Sequence, residues 1–302
     1  MLLTGRTFSS IKVDARRVDK NFSVGSMEVN RQVGEYLCTR FGVRGNMTRP
    51  DETVFIEIVD SVAYVYRSKM KGVGGLPVGV SGKVTALLSA GFDSPVACYH
   101  MMKRGANVAF VHFHSYPYVT QDSVDQVKQL VGVLTHYQFD SKLYVIPFGE
   151  VQQEIVAKTP PSFRVILYRR LMVRVAETIA HRENSQALVT GESVGQVASQ
   201  TLRNIRIIDS VAELPIFRPL IGMDKEEIID TARKIGTYDI SRQPYDDCCS
   251  FLTPRSPATW ADPEAVQEAE SKLEILKLVS MCLEKMSVER FSLDLETKKV
   301  TL

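Results

Sequence analysis

The sequence lacks the features that mark membrane and exported proteins. Within its 302 residues, no apolar run approaches the ~20 residues that a membrane-spanning helix needs. The amino-terminal segment Met1–Arg6 contains no hydrophobic region typical of a signal peptide. Charges nearly cancel, to a net +2, so net charge alone does not indicate nucleic-acid binding. We therefore expect a cytoplasmic protein that does not bind membranes.

Cysteine pairs of the C-x-x-C type are also missing. The odd and scattered set of cysteines does not indicate a disulfide framework. Three of them lie in helix-like apolar patterns and are expected to be small buried side chains. These three are Cys38, Cys98 and Cys282. The adjacent pair Cys248 and Cys249 lies instead in a predicted loop.

What the sequence does contain, after residue 76, is an alternation of short apolar segments with helix-like segments. The predicted strands are Val84–Leu88, Val108–Phe113, Leu143–Phe148, Ala187–Thr190 and Leu214–Phe217. The predicted helices are Pro95–Arg104, Asp122–Tyr137, Val165–Arg182, Asp224–Ile235 and one long helix over 262–285. This order predicts an α/β fold with a parallel sheet covered on both faces. Ligands of such sheets bind beyond the carboxyl ends of the strands.

A glycine- and proline-rich segment, Gly72–Pro77, predicts a domain boundary. The pattern of residues 1–75 predicts a small α+β unit, and residues 76–302 form the predicted α/β domain. The first predicted strand of the small unit carries a basic cluster that could contact RNA phosphates, with a solvated surface as the alternative. The residues of this cluster are Lys12, Arg16 and Arg17.

The segment Ser89–Pro95 joins the first strand of the α/β domain to a helix. Backbone N–H groups at such a turn and at the helix start converge on one point, which is typical of a phosphate site. Asp93 would repel phosphate, so we interpret it as a Mg²⁺ ligand. The segment matches neither a Walker A loop nor a dinucleotide-binding fingerprint. An ordinary capped strand–helix loop is the alternative.

The same segment resembles the PP-loop, S-G-G-x-D-S, of the ATP pyrophosphatases, with Ala90 in place of the second-position glycine. A second block, Thr190–Thr201, narrows the resemblance to the tRNA 4-thiouridine synthetases, which are tRNA sulfurtransferases of the thiamine-biosynthesis type. Residues 1–75 resemble the carboxyl-terminal part of a THUMP RNA-binding domain. The family's amino-terminal ferredoxin-like domain and the start of THUMP are missing, so we expect either a shortened member or a fragment.

The resemblance implies binding of ATP with Mg²⁺. The residues expected to cradle the phosphates are Ser89, Gly91 and Ser94. Those expected to contact the rest of the nucleotide are Leu87, Leu88, His112, Phe113, Arg169, Gly191 and Gln200. For His112 we expect contact through the backbone and no acid–base role. Lys225 is unfavourable in a first helical turn, where the helix dipole prefers anions, and the family has a lysine with a proposed catalytic role there.

The resemblance also implies that a cysteine in the loop after the core helices delivers sulfur. Counting from Lys225 without gaps assigns Cys248 to this role, and a gap in the alignment would assign Cys249. The neighbouring carboxylates of Asp246 and Asp247 disfavour a thiolate. We therefore interpret the pair as a site that carries sulfur as a persulfide rather than one of acyl transfer.

The activity that the resemblance implies is ATP-dependent thiolation of a tRNA uridine, giving 4-thiouridine at tRNA position eight. The C4 oxygen is adenylated, and sulfur arrives as persulfide from a cysteine desulfurase. A homodimer would supply a second RNA-binding surface. The alternatives are another PP-loop enzyme or a catalytically impaired tRNA-binding paralogue, which Ala90 and the missing amino-terminal region favour. We expect no rhodanese domain, which leaves open any thiamine-related role that depends on one.

Overall fold

The residues that the computed structural model describes are 3, 5–18, 20, 22–60, 62–244, 252 and 256–293. The chain divides into two compact units, Met1–Gly74 (unit 1) and Gly75–Leu302 (unit 2). Each unit has a hydrophobic core of its own. Within the described part of the chain, no helix combines the length and the apolar character that crossing a membrane requires.

Unit 1 is a four-stranded sheet with one helix. Its elements are β1 (Ser10–Arg17), α1 (Ser26–Phe41), β2 (Arg44–Gly45), β3 (Glu52–Val59) and β4 (Val62–Tyr66). The strand order is β2-β1-β3-β4, and β4 alone runs antiparallel to its neighbour. Successive side chains of a strand point to opposite faces, so β1 buries Ile11 and Val13 beneath α1 while Lys12 lies on the other face.

Unit 2 is built on a six-stranded sheet. Its strands are β5 (Lys83–Leu87), β6 (Asn107–His114), β7 (Asp140–Pro147), β8 (Leu188–Val189), β9 (Ile216–Phe217) and β10 (Ser287–Ser292). Its helices are α2 (Asp93–Lys103), α3 (Asp122–Gln138), α4 (Gly149–Lys158), α5 (Arg164–Arg182), α6 (Leu202–Asp209), α7 (Lys225–Ile235), α8 (Tyr238–Ser241), α9 (Pro263–Ser271) and α10 (Ile275–Lys285). Single 3₁₀ turns form at Pro161–Phe163 and Ala198–Gln200.

The sheet of unit 2 is parallel except at one edge. Its order is β10-β7-β6-β5-β8-β9, and β10 pairs antiparallel to β7. Alternate residues of β6 enter different cores: Phe110 packs with α2, α3 and α7, and Val111 packs with α5, α9 and α10. Helices therefore cover both faces, which confirms the predicted α/β fold.

The carboxyl-terminal region differs from the sequence-based prediction. A single helix over 262–285 was expected, but the chain forms α9 and α10 with a break between them. Asp262 caps α9 by accepting a hydrogen bond from the Ala265 N–H at 3.1 Å. The break allows Leu273 to join the core that also contains Leu278, and burial of that side chain outweighs the continuity of the helix. The antiparallel edge strand β10 was not predicted either.

Candidate active site

The loops that follow β5 and β8 lie at the same edge of the sheet, because these parallel strands are direct neighbours. A cavity of about 590 Å³ opens there, within the range of roughly 300–1,000 Å³ that small-molecule sites occupy. The predicted nucleotide-site residues all line it. They are Leu87, Leu88, Ser89, Gly91, Asp93, Ser94, His112, Phe113, Arg169, Gly191, Gln200 and Lys225. Segments more than 130 residues apart in the sequence thus share one cavity.

The loop Ser89–Ser94, which we call the phosphate loop, is closed by hydrogen bonds of Ser94. The Ser89 backbone N–H donates to the Ser94 hydroxyl at 2.9 Å, and that hydroxyl donates back to the Ser89 carbonyl oxygen at 3.1 Å. Helix α2 begins at Asp93, two residues before the predicted start, so the whole Asp-Ser-Pro segment lies in its first turn. The first N–H groups of a helix lack intrahelical partners, and they can bind an anion.

Ala90 is compatible with this loop. It does not adopt a positive φ, which is the backbone conformation that would have required glycine. Its methyl group is fully buried in the core that also contains Leu88 and Val96. The departure from the glycine of the motif therefore adds a core contact and leaves the loop geometry intact.

Asp93 is the point where three segments of the cavity meet. The Lys225 Nζ lies 2.6 Å from Asp93 Oδ1, and the Gln196 amide donates to Oδ2 at 2.9 Å. Lys225 is the first residue of α7, whose preceding Asp224 forms a capping box with Glu227. This cap fixes the helix start and so aims the lysine at the phosphate loop. Gln196 was not among the predicted site residues, although the second block contains it.

The second block packs directly on the start of α2. A Cβ on Gly191 would lie 2.6 Å from the Ser94 nitrogen and 2.8 Å from the Asp93 carbonyl carbon, so only glycine fits. The Gly195 N–H closes the block by donating to the Gln200 carbonyl oxygen at 2.9 Å. The side-chain Oε1 of Gln200 is buried at the cavity without a hydrogen-bond partner among the described residues. Such an acceptor suits a polar ligand.

An ion-pair network around the buried side chains of Arg218 and Glu192 connects this block to α6, where Asp209 is partly exposed. Arg218 Nε donates to Glu192 at 2.7 Å, and its terminal nitrogens donate to both Asp209 oxygens at 2.5 and 2.9 Å. Burial alone would lower the pKa of Arg218, but the two carboxylates hold it above its ordinary value. Thr190 adds a hydrogen bond to Glu192 at 3.0 Å. Sequence reasoning missed Arg218, because a lone arginine after a short strand carries no recognisable pattern.

His112 connects the ends of β5 and β6. Its Nδ1 lies 2.9 Å from the Leu88 carbonyl oxygen, and because that oxygen can only accept, Nδ1 carries the proton. Its Nε2 has no partner among the described residues. Burial lowers the pKa of His112 to about 4, against the opposing effect of the Leu88 carbonyl. The imidazole is therefore neutral near pH 7 and holds the backbone rather than exchanging protons.

The side chains at the cavity show how the expected Mg²⁺ could be held. No group of three or more potential metal ligands occurs among the residues that the structure describes, so they form no protein cage for a metal. Asp93 supplies one carboxylate beside the phosphate loop. Mg²⁺ is commonly held by one or two carboxylates together with substrate phosphates and water. The residues present fit that mode of binding.

Cys38, which was expected to be buried, is instead partly exposed. The other cysteines divide into two groups. Cys98 and Cys282 are buried, and burial raises the pKa of both thiols, that of Cys282 to about 12. Both are therefore poor nucleophiles. Cys248 and Cys249 lie outside the described residues. Ser241, which precedes that stretch, and Pro257, which follows it, both line the cavity.

The three basic residues predicted to contact RNA lie on different faces of β1. Arg16 is exposed and Lys12 is half-buried on the face of β1 away from the core. Arg17 instead donates to the Phe22 carbonyl oxygen at 2.6 Å, next to the strand end. Two of the three predicted RNA contacts thus share a face, and the third has a structural partner.

A parallel sheet with a serine-closed phosphate loop after its central strand β5 defines a PP-loop α/β domain. Residues 79–275 match the model of the family described as thiamine biosynthesis protein (ThiI), and residues 3–67 match that of the THUMP domain. The chain belongs to the ThiI family and carries a THUMP domain. This confirms the resemblance that the two sequence blocks indicated.

Curated relatives and a solved structure agree with this assignment. A "Probable tRNA sulfurtransferase" of Moorella thermoacetica is 45% identical over 281 residues, which is 93% of this chain and 72% of the relative. One of Thermus thermophilus is 42% identical over 286 residues, covering 95% of this chain and 70% of the relative. A 4-thiouridine synthetase–RNA complex with bound ATP superimposes with a TM-score of 0.88 at 34% identity, covering 96% of this chain and 76% of that chain.

Proposed function

We propose that this chain catalyses the ATP-dependent thiolation of a tRNA uridine to 4-thiouridine, at tRNA position eight. The observation that carries the proposal is the contact between Gly191 and the start of α2, which joins the two family blocks into one cavity. The relatives are named tRNA sulfurtransferases, and the structural neighbour is a 4-thiouridine synthetase with RNA and ATP. The THUMP domain supplies a module suited to RNA.

In the first step, the C4 oxygen of the uridine attacks the α-phosphorus of ATP. An O–P bond forms, the bond to the bridging oxygen breaks, and pyrophosphate leaves. The unpaired N–H groups at the start of α2 hold the leaving pyrophosphate, and Lys225 offsets the charge that develops beside it. Mg²⁺, held by Asp93 and the phosphates, would supply further charge neutralisation.

In the second step, sulfur replaces the activated oxygen. The terminal sulfur of a persulfide on Cys248, loaded by a cysteine desulfurase, attacks C4, and AMP leaves with the former C4 oxygen. The uridine sulfur then remains joined to Cys248 by a disulfide, which a second thiol must break by thiol–disulfide exchange. Cys249 is the candidate for that thiol, and an external thiol then reduces the resulting cysteine disulfide. The positions of Ser241 and Pro257 at the cavity support delivery from this stretch.

In vitro thiolation with desulfurase, ATP, Mg²⁺ and tRNA tests the proposal, with pyrophosphate release and tRNA mass spectrometry as readouts. We expect Asp93→Ala to abolish both pyrophosphate release and 4-thiouridine. Cys248→Ala should still release pyrophosphate but insert no sulfur, whereas Cys38→Ser, a partly exposed cysteine of unit 1, should behave as wild type. Wild-type protein that binds tRNA but releases no pyrophosphate would instead identify an impaired paralogue.

The assembly and the location of the protein form separate parts of the proposal. A homodimer, which light scattering in solution would detect, would give each active site a second RNA-binding surface. A cytoplasmic location fits a tRNA substrate, and cell fractionation would check it.

A further inference from the structure

A second cavity in unit 2 lies beside helix α6. It has a volume of about 1,130 Å³, and its lining includes four arginines and two glutamates. We call it the arginine groove, and its defining residues are Arg170, Arg174, Arg203, Arg206, Trp260 and Glu270. None of these residues lines the cavity of the candidate active site.

The arginines of this groove are unequally paired. Arg170 and Arg174 share one carboxylate, that of Glu270, at 2.5 and 3.3 Å. Arg203 pairs with Asp262 at 3.2 Å. Arg206 is exposed, and its side chain makes no hydrogen bond or ion pair within the described ranges. The groove therefore presents a surplus of positive charge, which suits phosphodiesters.

An exposed aromatic side chain also lines the arginine groove. Trp260, the single tryptophan of the chain, is 74% exposed. The guanidinium of Arg203 lies 5.0 Å from its ring centroid and so braces one side of the ring. Exposed aromatic rings beside cationic side chains are the usual platforms on which unpaired bases stack.

Two short stretches of the chain connect the groove with the cavity of the candidate active site. Gln200 lines the cavity and Leu202 lines the groove, and likewise Pro257 lines the cavity and Trp260 the groove. The Thr201 hydroxyl ties these two stretches together by donating to the Thr259 carbonyl oxygen at 2.9 Å. Three residues span at most about 11 Å, so the two sites are within the reach of neighbouring nucleotides.

We propose that the arginine groove binds the tRNA nucleotides that flank the target uridine, with a base stacked on Trp260 and a phosphate on Arg206. This inference rests on the proposed function, because it takes tRNA as the substrate. Target bases in folded RNA must be displaced from their stack to enter a pocket. A platform next to the pocket would stabilise the displaced strand.

Tryptophan fluorescence of the full chain tests the groove directly, since Trp260 is the only emitter of its kind. Titration with tRNA should quench the emission. Binding measured with labelled tRNA should weaken roughly tenfold in Trp260→Ala, and Trp260→Tyr should retain most of the affinity. Arg206→Gln should make the dependence of log affinity on log salt shallower by about 1.

The matched control is Arg290→Gln, which changes an exposed arginine of β10 at the opposite edge of the sheet. It should leave tRNA binding unchanged, and all variants should bind ATP as wild type does. If the groove variants bind tRNA normally while wild type thiolates it, the groove inference is overturned and the proposed function stands. Quenching by the desulfurase and not by tRNA would also overturn the inference, because it would assign the groove to a protein.

Discussion

At the scale of single residues, His112 shows how burial decides chemistry at the cavity. The imidazole is buried behind the ends of β5 and β6 and donates to the Leu88 carbonyl oxygen. Because burial lowers its pKa to about 4, the unfolded chain binds a proton at this position at a higher pH than the folded chain does. Acidification therefore favours unfolding.

The first prediction concerns this histidine. Between about pH 7 and pH 5, its protonation in the unfolded state should cost the wild type about 2 kcal/mol of unfolding free energy. His112→Asn can still donate to Leu88 but does not titrate, so its stability should fall less over the same interval. Urea denaturation at several pH values measures the difference. Equal losses in both proteins would show that His112 does not carry this pH dependence.

At the scale of elements, the contact between the second block and α2 depends on one glycine. A methyl group at Gly191 would clash with backbone atoms of Ser94 and Asp93, and backbone cannot move aside as a flexible side chain can. Gly191→Ala should therefore weaken ATP binding at least tenfold while the protein remains folded. Calorimetric titration with ATP measures this effect.

The control for that variant is Gly222→Ala. Gly222 lies shortly before α7, where an added Cβ meets nothing within 4 Å and the φ angle is not positive. We expect it to bind ATP as wild type does. Normal ATP binding by Gly191→Ala would mean that the two blocks need not touch to form the site.

A third prediction concerns the network that connects the ends of α6 and β9 to the second block. Arg218→Met would leave Glu192 buried without its cation, and removing one partner of a buried pair costs about 3–5 kcal/mol. The double variant Arg218→Met/Glu192→Gln should recover much of that loss, because the buried charge is removed and the carboxylate that stays unpaired, Asp209, has a side chain 35% exposed to solvent. Thermal and urea denaturation of the three proteins measures the recovery. A double variant no more stable than the single one would contradict this account.

At the scale of the whole molecule, the cores of units 1 and 2 are separate. Every described residue that lines the cavity of the candidate active site belongs to unit 2. We therefore expect residues 76–302, produced alone, to unfold cooperatively and to bind ATP as the full chain does. Their tRNA affinity should be lower, because Lys12 and Arg16 are removed.

Circular dichroism on heating and ATP titration of this fragment check the prediction, with the Asp93→Ala fragment as the non-binding control. An insoluble fragment, or one that does not bind ATP, would show that unit 1 is needed for the fold of unit 2.

Local patterns in the sequence were enough for much of the fold and for predicting residues that the structure brings together at one cavity; their contact with a nucleotide stays a prediction. The helix predicted over Asp224–Ile235 forms as α7, with Asp224 as its cap, and short apolar segments marked the strands, because each of these signals is carried by residues close in the chain. The break between α9 and α10 and the edge strand β10 escaped prediction, since both depend on distant packing partners.

The sequence by itself determined the class of fold, the phosphate loop and the family, because these reside in contiguous motifs. Only the tertiary structure decided that Lys225 reaches Asp93, that Arg218 secures Glu192, and that Trp260 lies beside an arginine-lined groove. Each of these contacts joins residues from separate segments of the chain. Sequence order carries no direct record of such distances, which are set by how the helices and loops pack around the sheet.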